Sequence, residues 1–517
     1  MSVVRVAAPP RERFANSWRW PQDVDVEASV ERSRAGLTSL LPWRREHEGA
    51  APRGRALARV HVAYRVQRWE LAIAVFALFV LGRTPVLFLR LHTTDLFWRV
   101  QALWQEDIVV VLTIGLVELA IVAIAVRRTS IDGLLRQPLL LAFVGFAWVS
   151  MIWSVEPDVT FRRSLLLAGA VGVGSYIGDR FALHEQIRIV SWLGWTAVGT
   201  TLLALLIRTD LASSTNAVRG EWSGIYVNRN ALALVLSMGL LATLFFRRTT
   251  QRTALVRTLA IAQFLFLVGT KSRTGIVGIV VAVSIAVVVS WLRRSRSETI
   301  GTAQAAYVVF AIFATAGLIV HRYWATILRR LGRDPDLTGR TFIWEIVKWF
   351  SRLHPVRGFG YEAIWADKHL ISQVQAAHGS LPAATGNGIP GGYPFAAHNG
   401  YYEILLGVGY VGLALFVGFL GFAVWRAFRY AWTRRDVESL WPLAFLVFAI
   451  VVNFSESLFV SGEALLVLTV AAAVSVVKAT RPIPEAVPEH EPPTSDDEPD
   501  AAPPSARRPR SAGLTRR

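Results

Sequence analysis

The sequence predicts an all-α polytopic membrane protein with about twelve transmembrane helices and a large extracytoplasmic loop between helices nine and ten. Three observations support this class. The 517 residues are 53% hydrophobic and 18% charged, with a mean hydropathy of +0.40, which is too apolar for a soluble chain of this length. Apolar runs of about 17 to 25 residues, long enough to span a bilayer as helices, recur along the chain. Basic residues cluster in alternate connections, as the positive-inside rule requires.

The apolar runs define the predicted spans. Most of the runs precede residue 322, and the remainder follow residue 398. The spans lie at 70–90, 107–126, 138–153, 164–178, 188–207, 230–246, 256–270, 274–292, 303–321, 399–425, 439–454 and 459–477.

Arginines between the spans predict the orientation. With the N-terminus in the cytoplasm, every inner connection is basic, and an even number of spans returns the C-terminus to the cytoplasm. This placement accounts for most of the net charge of +18, so we predict contact with membrane lipid and no nucleic-acid partner. The inner arginines are Arg127, Arg128, Arg136, Arg180, Arg188, Arg247, Arg248, Arg252, Arg257, Arg293, Arg294, Arg296, Arg426, Arg429, Arg434 and Arg435.

Five segments follow from this pattern. Residues 1–68 form an Arg-rich cytoplasmic extension with no signal-peptide pattern, and residues 478–517 form a disordered cytoplasmic tail. Between them lie helices one to nine at 69–321, the large loop at 322–398 and helices ten to twelve at 399–477. The absence of cysteine excludes disulfides and thiolate metal sites.

The large loop has roughly 75 residues, more than a passive connection needs, so we predict that it is functional. Its segment TFIWEIVKWF predicts an amphipathic helix lying along the membrane and ending before HPVRGFG. Arg340 would stand at the helix N-terminus, where free N–H groups favour an anion; the alternative is a solvated arginine. The Gly- and Pro-rich segment 380–397 would either move to admit a substrate or serve as a linker. The apolar positions of the helix are Ile343, Ile346, Val347 and Phe350.

Several cations fall on the predicted outer side, against the positive-inside pattern. Arginine is suited to phosphate because its planar fork donates two parallel hydrogen bonds, so these residues predict an anionic ligand. The alternative for each is an anchor that snorkels to lipid headgroups. Arg273 favours the functional interpretation, because GTKSRTG is a tight connection. The outer cations are Arg162, Arg163, Arg219, Arg229, Lys271, Arg273 and Arg340.

The stretch HNGYYEILLGVGYVG places a titratable ring at the outer mouth of span ten. The imidazole of His398 can accept a proton near neutral pH. Asn399 and Glu403 occupy the same helix start and are predicted to orient or polarise the ring; the alternative is a hydrogen-bonded structural histidine. Three glycines farther along predict only close helix packing. They are Gly407, Gly409 and Gly412.

Taken together, these motifs resemble those of the bacterial O-antigen ligase and polymerase superfamily over roughly residues 70–477. In the most specific motif, His398 and Asn399 are followed by nine residues, then Gly409, two residues and Gly412. The other motifs are WSVEPDVTFRR (153–163), GIYVNRNALA (224–233), KSRTG (271–275), LTGRTFIW (337–344) and HPVRGFG (354–360).

The resemblance implies a GT-C-like, metal-independent inverting glycosyltransferase without a cofactor. Such an enzyme moves a glycan from undecaprenyl pyrophosphate to a hydroxyl of a glycan, lipid or protein acceptor outside the cytoplasmic membrane, in cell-envelope or exopolysaccharide biosynthesis. By the resemblance, His398 is the general base, and Arg273 and Arg340 grip the donor pyrophosphate. The secondary candidates are Arg163, Arg219, Arg229, Asn230, Asn399 and Glu403.

Three other interpretations remain open. Asp334 and Asp336 could bind a metal ion, although two carboxylates with no third partner indicate a turn instead. A transporter or channel for an anionic solute or lipid-linked sugar would also use outer arginines and a membrane histidine, but such proteins often contain internal repeats, which are not evident in this sequence. A non-catalytic scaffold for envelope synthesis would not need His398.

Overall fold

The computed structural model describes residues 69–79, 115, 132–207, 222–226, 229–246, 253–294, 301–323, 340–367, 396–459 and 463–479. Two compact units, Met1–Glu70 and Leu71–Arg517, divide the chain, and the first lies almost entirely outside these ranges. Within them the secondary structure is helical, without strands, which confirms the all-α class. Four of the described helices are long and apolar enough to cross a membrane. The chain is therefore an integral membrane protein.

The described helices follow the predicted spans closely. Predicted span two, 107–126, lies outside the described residues apart from Gly115, so the count of twelve stays a prediction. The helices are α1 (Trp69–Phe79), α2 (Asp132–Leu135), α3 (Pro138–Val149), α4 (Pro157–Arg180), α5 (Leu183–Ile207), α6 (Arg229–Phe246), α7 (Thr253–Gly269), α8 (Arg273–Arg294), α9 (Thr302–Arg322), α10 (Arg340–Leu353), α11 (Gly400–Thr433), α12 (Trp441–Val452) and α13 (Ala464–Ala479).

Local sequence explains where several helices begin. Prolines stand in the first turn of α3, α4 and α12, where their missing N–H would have no intrahelical partner in any case. Asn399 precedes α11 and caps it with its side chain, as a short polar residue does at this position.

The helices pack in pairs, α5 against α6, α4 against α13, α8 against α12 and α11 against α3. Small residues permit the close approach of α4 and α13. A Cβ at Gly174 would come within 2.5 Å of Val467 O, and one at Gly178 within 2.6 Å of Ala471 O. Because these glycines lie four residues apart on α4, they form a small-residue stripe that lets α13 approach the backbone.

α11 is interrupted near its first quarter. Val408 (φ −128°, ψ 15°) and Gly409 (φ 65°, ψ −169°) leave the helical conformation, and main-chain groups of HPVRGFG replace the missing helical bonds. The prediction that Gly409 serves only helix packing was therefore incomplete. The bonds are Phe359 N to Leu406 O (2.9 Å), Gly360 N to Gly407 O (2.9 Å), Tyr410 N to Pro355 O (2.8 Å) and Val411 N to Val356 O (3.3 Å).

α10 matches the predicted amphipathic helix in its start, its end and its apolar stripe. The side chains of Ile346, Val347 and Phe350 are buried, and they cluster with Phe359 and Leu406. The stripe thus packs against protein, whereas the sequence predicted contact with the membrane. The difference arises because HPVRGFG folds back under α10 and presents its own apolar side chain there.

Two of the predicted inner arginines lie far from the start of α11. Arg293, at the end of α8, donates to the carbonyl oxygens of Ala431 and Arg434 at 3.0 Å each. Arg426 donates to Arg136 O at 3.0 Å. The 22 residues of α8 span roughly 33 Å, so this basic end lies about a bilayer's thickness from the helix starts of α8 and α11.

Candidate functional site

The turn before α11 holds His398 in an unusual conformation. His398 is partly buried and has φ 47°, which is uncommon for a residue other than glycine. Hydrogen bonds fix the chain on both sides of it. Ala397 N–H donates to Glu403 Oε1 at 2.5 Å, and Ala397 O accepts from Trp344 Nε1 at 2.9 Å. Asn399 N–H donates to Ser457 Oγ at 3.1 Å. The backbone therefore sets the direction in which the imidazole leaves the chain.

Asn399 joins the helix start to its surroundings. Its Oδ1 accepts from the N–H groups of Tyr401 (3.0 Å) and Tyr402 (3.1 Å), and its Nδ2 donates to Phe454 O at 3.1 Å. Both polar ends of the amide thus bind backbone. The role of Asn399 that this geometry supports is to fix the His398 turn as an N-cap.

Glu403 connects three separate segments. Its carboxylate is buried, and it accepts from Trp365 Nε1 at 2.7 Å, from Ala397 N–H and from Ser457 Oγ at 3.1 Å. Trp365 follows HPVRGFG, Ala397 precedes the histidine and Ser457 follows α12. Since a buried carboxylate is stabilised by such donors, Glu403 holds these segments together next to His398.

The segment 453–458 links this turn to α8. Gly400 N–H is shared between Asn453 O (2.9 Å) and Glu456 O (3.0 Å). Ser455 Oγ lies 2.9 Å from Thr274 Oγ1, and Thr274 directly follows the first residue of α8. The His398 turn and the start of α8 are therefore held by one short segment.

Arg273 and Arg340 are the first residues of α8 and α10. The side chain of Arg273 is exposed, and the segment 453–458 ties its helix start to the turn before α11. One turn after Arg340, Trp344 bonds to Ala397. Two helix N-termini, each with partial positive charge, are thus anchored to the turn that carries His398, although the three residues are far apart in sequence.

The motif WSVEPDVTFRR packs onto HPVRGFG. Trp153 Nε1 donates to Arg357 O at 3.0 Å, and Val155 N–H donates to Phe359 O at 3.0 Å. Farther along the motif, Arg163 Nη1 lies 3.6 Å from Glu362 Oε2, with both side chains largely buried. This carboxylate offsets the charge of Arg163, so the ion pair supports a structural role beside the site.

Of the other secondary candidates, two lie at the start of α6 and one lies outside the described residues. Arg229 and Asn230 begin α6 and are partly exposed. The turn before them is tied to the KSRTG region through Trp222 N–H and Gly269 O, 3.2 Å apart. Arg219 lies outside the described residues, as do Asp334 and Asp336.

Four residues of this site were missed from the sequence. The serines interrupt the apolar run NFSESLFV between predicted spans eleven and twelve, and that interruption was a usable signal. The tryptophans lie in the large loop and carry no pattern that separates them from its other aromatic residues. The four are Trp344, Trp365, Ser455 and Ser457.

Several of these helices are long enough to cross a membrane, and polar side chains gather where they begin. These features define an integral membrane protein with its candidate site at the helix ends. Residues 258–417 match the family model for O-antigen ligase. This match confirms the resemblance to the O-antigen ligase and polymerase superfamily, whose members act as membrane glycosyltransferase-like enzymes on lipid-linked glycans and acceptors. The matched segment contains Arg273, Arg340 and His398. No curated protein compared with the chain matches it.

Proposed function

We propose that this chain transfers a glycan from undecaprenyl pyrophosphate to an acceptor hydroxyl, with inversion and without a metal ion or cofactor. The acceptor oxygen attacks the anomeric carbon as the bond from that carbon to the pyrophosphate oxygen breaks. His398 takes the proton of the attacking hydroxyl, and undecaprenyl pyrophosphate leaves as an anion. General-base help of this kind is typically worth about 10² to 10⁴ in rate.

One observation carries the proposal. The backbone beside His398 is bonded to the helix that begins at Arg340, through Trp344 and Ala397. It is also bonded to the segment that holds the helix beginning at Arg273. A base and two cationic helix starts anchored to one turn suit a reaction in which a proton is removed while negative charge grows on a leaving diphosphate.

The arginines supply electrostatic stabilisation. A guanidinium group can donate two parallel hydrogen bonds to phosphate oxygens, and a helix N-terminus adds the partial positive charge of its free N–H groups. Arg273 and Arg340 begin helices, so both effects favour the same anion. We assign them to the two phosphates of the donor.

We place the site on the outer side of the bacterial cytoplasmic membrane, with both termini in the cytoplasm. The support is the separation between the arginines around Arg293 and the start of α11, which are at opposite ends of the helices. Positive residues collect on the cytoplasmic side of membrane proteins. The site would then meet donors that have already been moved outward.

The direct test is transfer by the purified full-length chain in proteoliposomes supplied with lipid-linked glycan and an acceptor. We expect a product of inverted anomeric configuration that forms equally well with EDTA present. Movement of lipid-linked glycan across the bilayer without formation of a product would instead support a transporter. A product of retained configuration would contradict the mechanism.

Arg273→Ala is expected to raise the donor KM about tenfold, since a charge-assisted hydrogen bond contributes roughly 1.5 to 3 kcal/mol. The acceptor KM should stay constant, and Arg273→Lys should recover part of the loss. Initial rates at varied donor concentration measure the effect. Arg322→Ala is the matched control, because Arg322 is an exposed arginine at the end of α9. An equal effect at both positions would show only general attraction of anions to the surface.

Glu403→Gln is expected to lower kcat by about tenfold to a hundredfold while donor and acceptor KM change little. An amide has a single acceptor oxygen, so its NH₂ group would face one of the three donors. The turn that holds His398 would then shift, and misplacement of a catalytic group by about 1 Å can lower the rate 10²-fold. The matched control is Glu438→Gln, at a partly exposed glutamate in the turn before α12. Equal loss of kcat in both variants would remove the positioning role from Glu403.

A further inference from the structure

Two aromatic side chains lie beside the His398 turn and take no part in the chemistry described so far. The rings of Trp344 and Tyr402 have centroids 5.9 Å apart and an interplanar angle of 63°. Both side chains are partly exposed. Trp344 is fixed by its indole bond to Ala397 O, and Tyr402 by its position in the capped first turn of α11. We call these two residues the aromatic pair.

The aromatic pair lies within about one helical turn of each group that the proposed function assigns to the ends of the reacting bond. Trp344 is four residues, about one helical turn, after Arg340 on α10. Tyr402 is four residues after His398 on α11. In the donor, the pyranose ring attached directly to pyrophosphate must lie between the phosphates and the base, because its anomeric carbon is the atom attacked. The pair is therefore placed within reach of that ring.

The chemistry of the pair suits a sugar. The electron-rich face of an aromatic ring attracts C–H groups that carry partial positive charge, and a pyranose presents such groups on its faces. Among the described residues, no side chain or backbone group hydrogen-bonds the Tyr402 hydroxyl. The hydroxyl, which interacts electrostatically with Lys348, can donate to or accept from a sugar hydroxyl.

The rim of the pair is charged. Lys348 Nζ donates to Glu345 Oε1 at 2.9 Å, and that bond raises the pKa of Lys348. Both side chains are exposed on the same helix as Trp344. An apolar lipid chain would lose the hydration of these groups without replacing it, whereas the hydroxyls of a sugar can bond to them. The polar rim favours a carbohydrate over an acyl chain.

We propose that Trp344 and Tyr402 form the subsite for the pyranose attached directly to the donor pyrophosphate. The inference rests on the proposed function and deepens it by naming the part of the substrate that the pair contacts. The pair then binds and orients the reacting sugar, while the arginines bind the phosphates.

The test measures binding of two lipids to the full-length chain in nanodiscs: undecaprenyl pyrophosphate bearing its glycan, and undecaprenyl pyrophosphate alone. For Tyr402→Leu we expect about tenfold weaker binding of the glycan-bearing lipid, the effect of leaving roughly 60 Å² of ring surface uncovered. Binding of the bare lipid should not change. Tyr402→Phe retains the ring and should retain most of the binding.

Trp349→Leu is the matched control for Trp344→Leu, because Trp349 is an exposed tryptophan on the same helix, 44% exposed and packed edge-on against Phe350. Trp344→Leu also removes the bond to Ala397 O that anchors α10, so we expect it to weaken binding of the glycan-bearing lipid most and of the bare lipid to a smaller extent, and Trp349→Leu to affect neither lipid. A selective loss in Tyr402→Leu that is absent in Trp349→Leu supports the subsite.

Other results overturn it. Unchanged binding of both lipids in Tyr402→Leu would remove the pair from the donor site. Equal loss for both lipids would assign the effect to the fold or to the lipid. A raised acceptor KM with normal donor binding would move the pair to the acceptor. If the wild-type chain bound neither lipid, the proposed function itself would fall, and this outcome is separate from the others.

Discussion

Replacing His398 by alanine is expected to reduce the single-turnover rate of glycan transfer by about 10² to 10⁴, because the attacking hydroxyl then loses its general base. Donor binding should persist, since Arg273 and Arg340 are unchanged. Rapid-mixing measurements with saturating donor separate the chemical step from binding. Imidazole added to the solution should restore part of the rate by occupying the space of the missing side chain.

The matched control for this variant is His184→Ala. His184 is an exposed histidine in the first turn of α5, next to the end of α4 that carries Arg180, and thus on the predicted inner side. The His184→Ala variant should transfer glycan at the wild-type rate. Wild-type turnover in His398→Ala would remove the imidazole from the reaction and favour a scaffold or a transporter.

Gly409→Ala is expected to lower the free energy of unfolding by about 3 kcal/mol or more. Gly409 has φ 65° and ψ −169°, a combination that is essentially restricted to glycine. A Cβ there would also overlap the carbonyl oxygen of Val356. The side chain would strain the backbone and disturb the bonds that HPVRGFG makes to α11. Thermal unfolding in detergent should show a clear fall in Tm, accompanied by loss of transfer.

Gly421→Ala on the same helix provides the comparison. A Cβ at Gly421 meets no atom within 4 Å, and the surrounding backbone is helical. Alanine there should stabilise the protein by up to about 1 kcal/mol, the usual helix-interior difference from glycine. Equal Tm values for the two variants would mean that the break at Gly409 contributes nothing to stability.

The helices were predictable from sequence because their signals are local. Apolar runs and first-turn prolines predict α3, α4 and α12 without knowledge of their neighbours. The helical spacing that ends in Phe350 likewise predicted α10 and the side chains it buries. What covers that stripe was not predictable, because the residues concerned lie in another segment and are brought there by backbone bonding.

The site was predictable in residue types and less so in their partners. His398 and Glu403 stand out because titratable groups are rare at the start of an apolar helix. The donors to Glu403, Trp365 and Ser457, come from segments 38 and 54 residues away, and no local pattern pairs them. Arg163 was predicted as a candidate site residue from its charge alone. Its ion pair with Glu362 could not be predicted, because the distance between the two side chains depends on how two motifs pack.

The interruption of α11 has a consequence for how this protein is made. Until HPVRGFG docks, the carbonyl groups of Leu406 and Gly407 and the N–H groups of Tyr410 and Val411 have no partners from that loop, and each unsatisfied group in hydrocarbon costs several kcal/mol. We therefore expect newly synthesised α11 to enter the lipid either as an unbroken helix that later yields, or together with the loop. In the first case biogenesis would include a docking step after translocation of the loop.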